Sequence, residues 1–168
     1  MITITKITAP DDPQVCVISD LAHEIWHQHF TPIIGRQQVE YMLKRFQCEE
    51  AIIRQISSEG YIYYLAFDGD TPIGYAGIVP NLAECAIFLS KLYMRESCRG
   101  NGVARMLLNT ILADYSDNAY KSMYLTCNKH NENTIAVYQH MGFKITDSVV
   151  KSIGNGMVMD DYIMTLVL

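Results

Sequence analysis

No run of about 18 consecutive apolar residues, the length that a membrane-spanning helix needs, occurs in the sequence. A signal-peptide profile is also missing. The first residues, MITITKIT, alternate threonine with isoleucine as a β-strand does, and no basic segment precedes an apolar one. Both absences predict a cytoplasmic protein without a membrane partner.

Pairs of cysteines with CxxC spacing are absent, so the sequence predicts neither a disulfide framework nor a cysteine zinc site. Clusters of Lys and Arg are absent as well, and the net charge is -5. Because nucleic-acid binding needs clustered positive charge, we expect no nucleic-acid partner. The acidic balance is compatible with a cationic substrate.

Linkers, internal repeats and low-complexity tracts are also lacking. The chain has 168 residues, of which 49% are hydrophobic, and this is enough to build a core without disulfides or metals. We therefore expect one domain, residues 1–168.

Apolar spacing predicts helices and strands in a definite order. A strand at 2–8 precedes a helix that starts at 10–13 and is broken by Thr31 and Pro32, and the region up to Ser58 is helical. A hairpin turns at Gly69 and Asp70. The remaining elements are a strand in 83–94, a helix in 103–115, a strand in 122–127, a helix in 132–141, and strands in 143–152 and 161–168. This order is typical of a mixed α/β domain.

The segment HEIWH, His23 to His27, has the spacing with which a helix offers two imidazoles to Zn²⁺ and a glutamate to its bound water. A zinc hydrolase would need a third ligand. A metzincin continuation requires Gly and His where Phe30 and Ile33 stand, and Glu49 or Glu50 lacks the usual surrounding signature. Zinc hydrolysis is therefore an alternative with little support.

A glycine-containing turn follows the predicted strand at 83–94 and opens a helix, with the sequence RGNGVA at 99–104. Free N–H groups at a helix N-terminus bind anions, and glycines let the backbone come close to them. A Walker loop would need Gly-Lys-Ser/Thr, and a dinucleotide fingerprint would need a third glycine where Arg105 stands. The turn is therefore a candidate phosphate site of another type, although two such glycines also occur in ordinary turns.

This turn resembles the pyrophosphate loop of the GCN5-related N-acetyltransferases, Arg/Gln-x-x-Gly-x-Gly/Ala, at Arg99, Gly102 and Ala104. A second signature of that family has the form N-x-x-A-x-x-x-x-x-G-F with an embedded tyrosine. The segment NENTIAVYQHMGF is similar to it, with Asn133, Ala136, Tyr138, Gly142 and Phe143 in the matching positions. The two signatures stand in the family's order, and the resemblance extends over nearly the whole chain.

The resemblance implies the fold of that family, an α/β (α+β) domain. Its single, mixed, mostly antiparallel twisted sheet has a splayed central strand pair and helices on both faces. It also implies acetyl-CoA as co-substrate and no metal. The residues implied to bind acetyl-CoA are Leu92, Tyr93, Met94, Arg99, Gly100, Asn101, Gly102, Val103, Ala104, Asn133, Ala136 and Tyr138.

Acetyl transfer to an amine needs an acid for the leaving thiol and a base for the amine. Tyr138 is the candidate acid, because a phenol of pKa about 10 can protonate a thiolate of pKa about 8.5 at little cost. Glu84 is the candidate base, since relatives often carry a carboxylate near that position. A water chain is the alternative base, and both residues are also compatible with purely structural roles.

The acceptor is expected beside the first helices and the hairpin. Aromatic side chains there can hold a cationic amine, and the candidates are Trp26, His29, Phe30, Tyr64 and Tyr75. The resemblance favours a small or polyamine-like primary amine, acetylated by direct transfer in a ternary complex.

Two other functions stay open at this point besides zinc hydrolysis. The acceptor can be a protein or peptide N-terminus or a lysine, and the chain can instead be a catalytically silent acyl-CoA-binding module. We also expect a homodimer, paired across a two-fold axis through the apolar final strand, DYIMTLVL, and the aromatic hairpin.

Overall fold

The computed structural model describes residues 1–117 and 119–168. Their strands are β1 Ile2–Ile7, β2 Ile62–Asp68, β3 Thr71–Asn81, β4 Ala86–Met94, β5 Ser122–Asn128, β6 Lys144–Gly154 and β7 Met157–Val167. The helices are α1 Gln14–Ile34, α2 Arg36–Met42, α3 Glu49–Ser58, α4 Val103–Asp114 and α5 Glu132–His140. A π-helical turn, Leu43–Gln47, continues α2, and a 3₁₀ turn, Glu96–Cys98, follows β4.

The seven strands form one sheet in the order β1-β2-β3-β4-β5-β7-β6. Every neighbouring pair is antiparallel except β4 and β5, which are parallel. Because β7 lies between β5 and β6, both of its edges are already paired. Its apolar sequence led us to expect that the final strand pairs with a second copy. In the structure neither edge of β7 is free for such pairing.

Alternation along the strands builds two cores, one on each face of the sheet. In β2, Tyr63 and Leu65 belong to the core beneath α1, α2 and α3. Their neighbours Tyr64 and Ala66 point to the opposite face, where the second core packs against α4 and α5. All four are fully buried. These two layers confirm the predicted mixed, mostly antiparallel sheet with helices on both faces.

Helix α1 is longer than the sequence predicted. It continues through Thr31 and Pro32 and ends at Gly35, whose φ of 84° lies in the left-handed region that glycine adopts readily. Pro32 stands only two residues before the end of the helix, so it removes one hydrogen bond near a terminus and does not interrupt a long segment. The extra turn carries Ile34 to the cleft described below.

A buried lysine connects the sheet to the helices on the α1 side. Lys91 of β4 is 3% exposed, and its Nζ donates hydrogen bonds to the carbonyl of Phe46 and to Oε1 of Gln55, both at 2.8 Å. A third contact, at 2.5 Å, is with the Tyr63 hydroxyl. Burial lowers the pKa of Lys91 to about 7. The three acceptors match the three donors of an ammonium group, which holds the π-helical turn and α3 against the sheet.

Strands β4 and β5 separate after a short common stretch. Their register contains only three pairs, from Ala86 with Ser122 to Phe88 with Tyr124. Beyond these pairs both strands continue, β4 to Met94 and β5 to Asn128, without pairing to each other. This is the splayed central pair that the resemblance implied.

Two predicted strand boundaries differ from the structure. Strand β4 starts at Ala86, because residues 82–85 form a turn. Strand β7 starts at Met157, four residues before the predicted start, so Asp161 lies in mid-strand. In the described part of the chain, 1–117 and 119–168, no helix has both the length and the apolar character to cross a membrane.

The end of β4 depends on a glycine in β3. Gly74 pairs with Met94, and a Cβ on Gly74 would lie 2.8 Å from the carbonyl oxygen of Tyr93 and closer still to the Met94 side chain. We therefore expect Gly74→Ala to lower the free energy of unfolding by about 2 kcal/mol, because the rigid backbone of β4 must move. A fall in Tm of roughly 4–8 °C in calorimetry would measure this loss.

Gly77→Ala is the matched control on the same strand. There the nearest atoms belong to the side chains of Tyr63 and Lys91, at 3.2 and 3.3 Å, and can shift slightly. Its Tm is expected to fall by less than half as much. Equal losses at both positions would contradict this explanation.

Candidate active site

A cleft of about 850 Å³ opens where β4 and β5 diverge. Its walls come from α1 and α2 on one side and from the N-terminal part of α4 and from α5 on the other. The floor contains the unpaired ends of β4 and β5 together with two residues of β7, Met159 and Asp161. The interrupted strand pairing therefore creates the cleft.

One side of the cleft is suited to an anion. Gly100 and Gly102 both have φ of 78°, and Gly102 is the N-terminal cap of α4. The N–H groups of the first helical turn, at Val103, Ala104 and Arg105, have no carbonyl partner within the helix. With the helix dipole behind them, these groups form a site for a phosphate.

Arg99 adds a positive charge beside this turn. Its Nε contacts the carbonyl oxygen of Met94 at 3.4 Å, and its Nη1 lies 3.3 Å from Nδ1 of His29 on α1. Burial, and secondarily the Arg99 charge, lowers the pKa of His29. The imidazole is therefore neutral near pH 7, and Nδ1 can accept a hydrogen bond from Arg99. This contact joins the two walls of the cleft.

Tyr138 projects from α5 into the cleft and is 8% exposed. Its ring packs edge to face against Phe143, with centroids 5.6 Å apart. Burial, with a smaller effect of Cys127, raises the pKa of the Tyr138 phenol. The hydroxyl is thus protonated throughout the neutral range and can donate a proton or a hydrogen bond to a group in the cleft.

The wall formed by α1 is aromatic. The Trp26 ring lies 4.4 Å from Phe30 and 5.4 Å from Tyr93, between ring centroids, and Phe30 and Tyr93 are 5.9 Å apart. Tyr93 reaches this cluster from β4, so the wall spans the helix and the sheet. Burial raises the pKa of Tyr93. The cluster is uncharged at neutral pH.

Asp161 is the buried charge of the cleft. It is 3% exposed, and within residues 1–117 and 119–168 its Oδ1 has no hydrogen-bond partner. Burial, with a smaller effect of Asp160, raises the pKa of Asp161 to about 6. A carboxylate in this position can accept a proton or hydrogen bonds from a ligand.

The side chains of the HEIWH segment contact other residues of the protein. Glu24 forms an ion pair with Arg95 at 2.9 Å, so its carboxylate is directed to the end of β4. The rings of His23 and His27 pack on each other with centroids 4.6 Å apart. Among the residues that the structure describes, no three His, Cys, Asp or Glu side chains converge on a site that could hold a metal ion.

Most of the residues that the sequence predicted as binding or catalytic residues line this cleft. From the cofactor set these are Leu92, Tyr93, Met94, Arg99, Gly100, Gly102, Val103, Ala104, Asn133, Ala136 and Tyr138, and from the acceptor set Trp26, His29 and Phe30.

Four predicted residues lie elsewhere. Asn101 is exposed in the turn and does not line the cleft. Tyr75 is fully buried behind Tyr93, with its hydroxyl 3.2 Å from Oε1 of Gln47. Tyr64 faces the other side of the sheet and donates a hydrogen bond to Asp114 at 2.7 Å.

Glu84 is the fourth, and the structure does not bring this predicted base into the cleft. It is exposed in the turn before β4, at the end where β4 and β5 are still paired. The cleft begins only at Leu89, five residues further along. The three strand steps from Ala86 to Leu89 alone span about 10 Å, at about 3.3 Å per residue.

Sequence reasoning missed Asp161, because a strand that starts at residue 161 would place it at an exposed terminus. An available signal was the pair Asp160-Asp161 between apolar residues, in the segment MVMDDYIM. A charged residue within an apolar strand is unusual unless it is paired or functional.

Known proteins share both the sequence pattern and the fold. The family model described as Acetyltransferase (GNAT) family matches residues 19–143. Human N-acetyltransferase 8 is 28% identical over 95 residues, which cover 54% of this chain and 42% of that protein. The uncharacterized N-acetyltransferase YjgM of Escherichia coli (strain K12) is 28% identical over 102 residues, 59% of this chain and 60% of that one. The chain thus matches about half the length of these relatives.

Among solved structures, the PaiA N-acetyltransferase of Thermoplasma acidophilum, crystallised with coenzyme A, superposes with a TM-score of 0.80. It is 19% identical, and the match covers 100% of this chain and 99% of that one. A GCN5-related N-acetyltransferase of Rhodopseudomonas palustris superposes with a TM-score of 0.79 at 14% identity, covering 99% and 95%. These likenesses confirm the fold.

The buried charge of Asp161 predicts a dependence of stability on pH. Its pKa of about 6 is higher than the unfolded value of about 3.9, so ionisation of Asp161 disfavours the folded state. The cost is fully present above pH 6 and disappears as the pH falls below about 4. We expect Asp161→Asn to raise the free energy of unfolding at pH 8 by on the order of 1–2 kcal/mol, or Tm by about 5 °C.

The difference in Tm between the two proteins should shrink towards zero at pH 4. Calorimetry of both proteins from pH 4 to pH 8 measures it. A difference that does not change with pH would mean that the substitution acts through packing and not through charge.

Proposed function

The chain belongs to the acetyltransferase (GNAT) family, and we propose that it is an acetyl-CoA-dependent N-acetyltransferase that acts on a small primary amine. Transfer is direct, with acetyl-CoA and the amine bound together, and residues 1–168 act as one catalytic domain. The observation that carries the proposal is the single cleft that joins the N-terminus of α4, the unpaired edges of β4 and β5, and Tyr138.

The residues of the cleft fit coenzyme A. Its pyrophosphate matches the free N–H groups at the start of α4, with the Arg99 guanidinium close by. Its pantetheine arm carries amides, which can pair with the backbone of β4 between Leu89 and Met94 as an added strand does. In the described structure this edge of β4 has no strand partner, so the fit requires no rearrangement of the sheet.

Acetyl-CoA supplies the acetyl group in an activated form, as a thioester. The chain contributes orientation and proton transfer. A backbone N–H near Met94, at the free end of β4, would polarise the carbonyl group that the amine attacks. The aromatic wall of Trp26, Phe30 and Tyr93 excludes water from the acceptor side.

Tyr138 holds the proton that the leaving thiol needs. For free groups, transfer from a phenol to a thiolate is uphill by roughly 2 kcal/mol. The burial that raises the pKa of Tyr138 also makes a thiolate beside it more basic, so the two pKa values move in the same direction. The proton transfer therefore stays accessible within the closed site.

The shape of the acceptor side favours a small molecule over a protein segment. Helices α1 and α2 cover it, with Ile34, Gln38 and Met42 among the lining residues. A peptide or a lysine on a protein surface would need an open groove in this place. Acetylation of peptides is therefore the second candidate and is tested in the same amine panel.

The homodimer stays part of the proposal. With β7 enclosed between β5 and β6, a pairing of sheets across a two-fold axis would use the edge strand β6, where Val150 is 67% exposed.

The cytoplasmic location also remains a prediction.

The role of Arg99 can be tested by binding. We expect Arg99→Ala to raise the Kd of acetyl-CoA by about tenfold, because a charge-assisted contact with a phosphate is lost. The loss should diminish at high salt concentration, where phosphate contacts contribute less. Calorimetric titration measures both effects. Arg54→Ala is the matched control, since Arg54 of α3 pairs at 3.1 Å with Glu59, which caps that helix away from the cleft.

Replacing Tyr138 separates catalysis from binding. Tyr138→Phe should lower kcat by about 10²–10³-fold and leave the Kd of acetyl-CoA within twofold, because only the proton donor is removed. Thiol release in the presence of an amine measures kcat. Tyr124→Phe, at a ring stacked on Phe88 with centroids 5.0 Å apart, is the control. Unchanged kcat in Tyr138→Phe would contradict the proposed role.

The same measurements identify a catalytically silent module. Tight binding of acetyl-CoA without thiol release from any amine, amino acid or peptide would favour a sensor over an enzyme. Stabilisation by Zn²⁺ alone would overturn the proposed function.

A further inference from the structure

We propose that Asp161 receives the ammonium group of the acceptor and takes its proton, and that the acceptor is a primary monoamine with an apolar body. This inference rests on the proposed N-acetyltransferase function and specifies its substrate class. It moves the role of base from Glu84, which lies outside the cleft, to a residue of β7 in the cleft floor.

The position of Asp161 is fixed by the sheet. It stands in mid-strand on β7, opposite Asn128 of β5 and Val149 of β6, so the backbone on both sides is paired. Its side chain lines the cleft and is almost completely buried. A carboxylate held in this way cannot turn out to solvent, and in the described part of the chain its Oδ1 has no donor. A buried acceptor of this kind requires a partner, and the cleft is where a ligand can supply it.

The charged and titratable groups around Asp161 do not supply that partner. Lys129 is engaged with Asp160, at 2.6 Å. Cys127 of β5 is a neutral thiol near pH 7, since burial raises its pKa to about 12, and Tyr93 of β4 is a neutral phenol. A primary ammonium carries three N–H donors and one positive charge. It therefore satisfies both the hydrogen bonding and the charge of Asp161.

The rest of the acceptor side is apolar. The same cleft is lined by the aromatic wall of Trp26, Phe30 and Tyr93 and by the flexible side chains of Met42 and Met159. These groups favour a hydrocarbon or aromatic body through burial and through contact of methionine sulfur with rings. The ammonium end and the apolar body are thus recognised by different parts of the cleft.

A second ammonium group would be poorly accommodated. Besides Asp161, the only acidic residue among those that line the cleft in the described structure is Glu96. Glu96 is exposed in the 3₁₀ turn that leads to Arg99, on the side assigned to the phosphates. A polyamine would therefore bury a charge against apolar groups, which costs more than it gains. The polyamine-type substrate expected from the resemblance is accordingly disfavoured.

The proton balance of the reaction is complete with these groups. Asp161 takes one proton from the ammonium and leaves a neutral amine. The amine nitrogen forms a C–N bond with the acetyl carbon while the C–S bond breaks, and Tyr138 gives its proton to the sulfur. The second proton lost from nitrogen restores the Tyr138 phenol, and Asp161 later releases its proton to water. The products are an amide, a thiol and one proton.

A matched pair of amines tests the substrate class. Hexylamine and hexane-1,6-diamine have the same length and differ only in the second ammonium group. We expect kcat/KM for hexylamine to exceed that for the diamine by at least tenfold, and 2-phenylethylamine to exceed spermidine by a similar factor. A preference for the diamine or for spermidine would overturn the inference.

The role of Asp161 is tested with Asp161→Asn. In the native protein, kcat/KM should rise with pH through about 6, because Asp161 must be ionised to hold the ammonium. In the variant, kcat/KM should be about 100-fold lower and should no longer rise with pH through about 6. The Kd of acetyl-CoA should be unchanged. Asp147→Asn, at an exposed carboxylate of β6, is the charge control and should keep the native profile.

The outcomes separate this inference from the proposed function. Native pH dependence and activity in Asp161→Asn, or loss of the rise with pH in Glu84→Gln instead, would overturn the role of Asp161 while N-acetyltransferase activity stands. Failure of the native protein to bind acetyl-CoA would reject the function itself. Loss of acetyl-CoA affinity in Asp161→Asn would mean that the residue supports the fold of the cleft, and this too would overturn the inference.

Discussion

The separation of β4 from β5 is the constraint on which the cleft depends. After three pairs the two strands diverge, and a sheet that is continuous elsewhere acquires a wedge in its centre. Backbone groups at such a wedge lack the partners that interior strands have on both sides, so a ligand with amide groups can pair with them. Helices α4 and α5 begin at the open end, which brings an anion site and Tyr138 to the same place.

The two halves of the cleft differ in how they recognise a ligand. On the side that we propose for the coenzyme, recognition would use the main chain, through helix N–H groups and an exposed glycine turn. The side that we propose for the acceptor offers side chains instead, with one buried carboxylate among the aromatic residues of the lining. Recognition by the main chain leaves a contiguous signature in the sequence, whereas recognition by side chains draws single residues from α1, β4 and β7.

This difference explains how far the sequence could predict the site. The loop at 99–104 and Tyr138 lie within short motifs, so their place in the cleft follows from local pattern. The sequence could not decide between Asp161 and Glu84 as the candidate base. The order of the strands decides which carboxylate faces the wedge between β4 and β5. Element types were predicted well for the same local reasons. The predicted end of α1 was too early, because a proline near the C-terminal end of a helix removes one hydrogen bond without ending the helix.

Burial shifts the pKa values of two interior groups in opposite directions. It raises the pKa of Asp161 to about 6 and lowers the pKa of Lys91 to about 7. On unfolding between these values, Asp161 releases protons and Lys91 takes them up, so their exchanges with the buffer cancel. Above this range uptake dominates, and below it release dominates. Their joint contribution to stability therefore passes through a minimum near neutral pH, where both groups are largely charged in the interior of the fold.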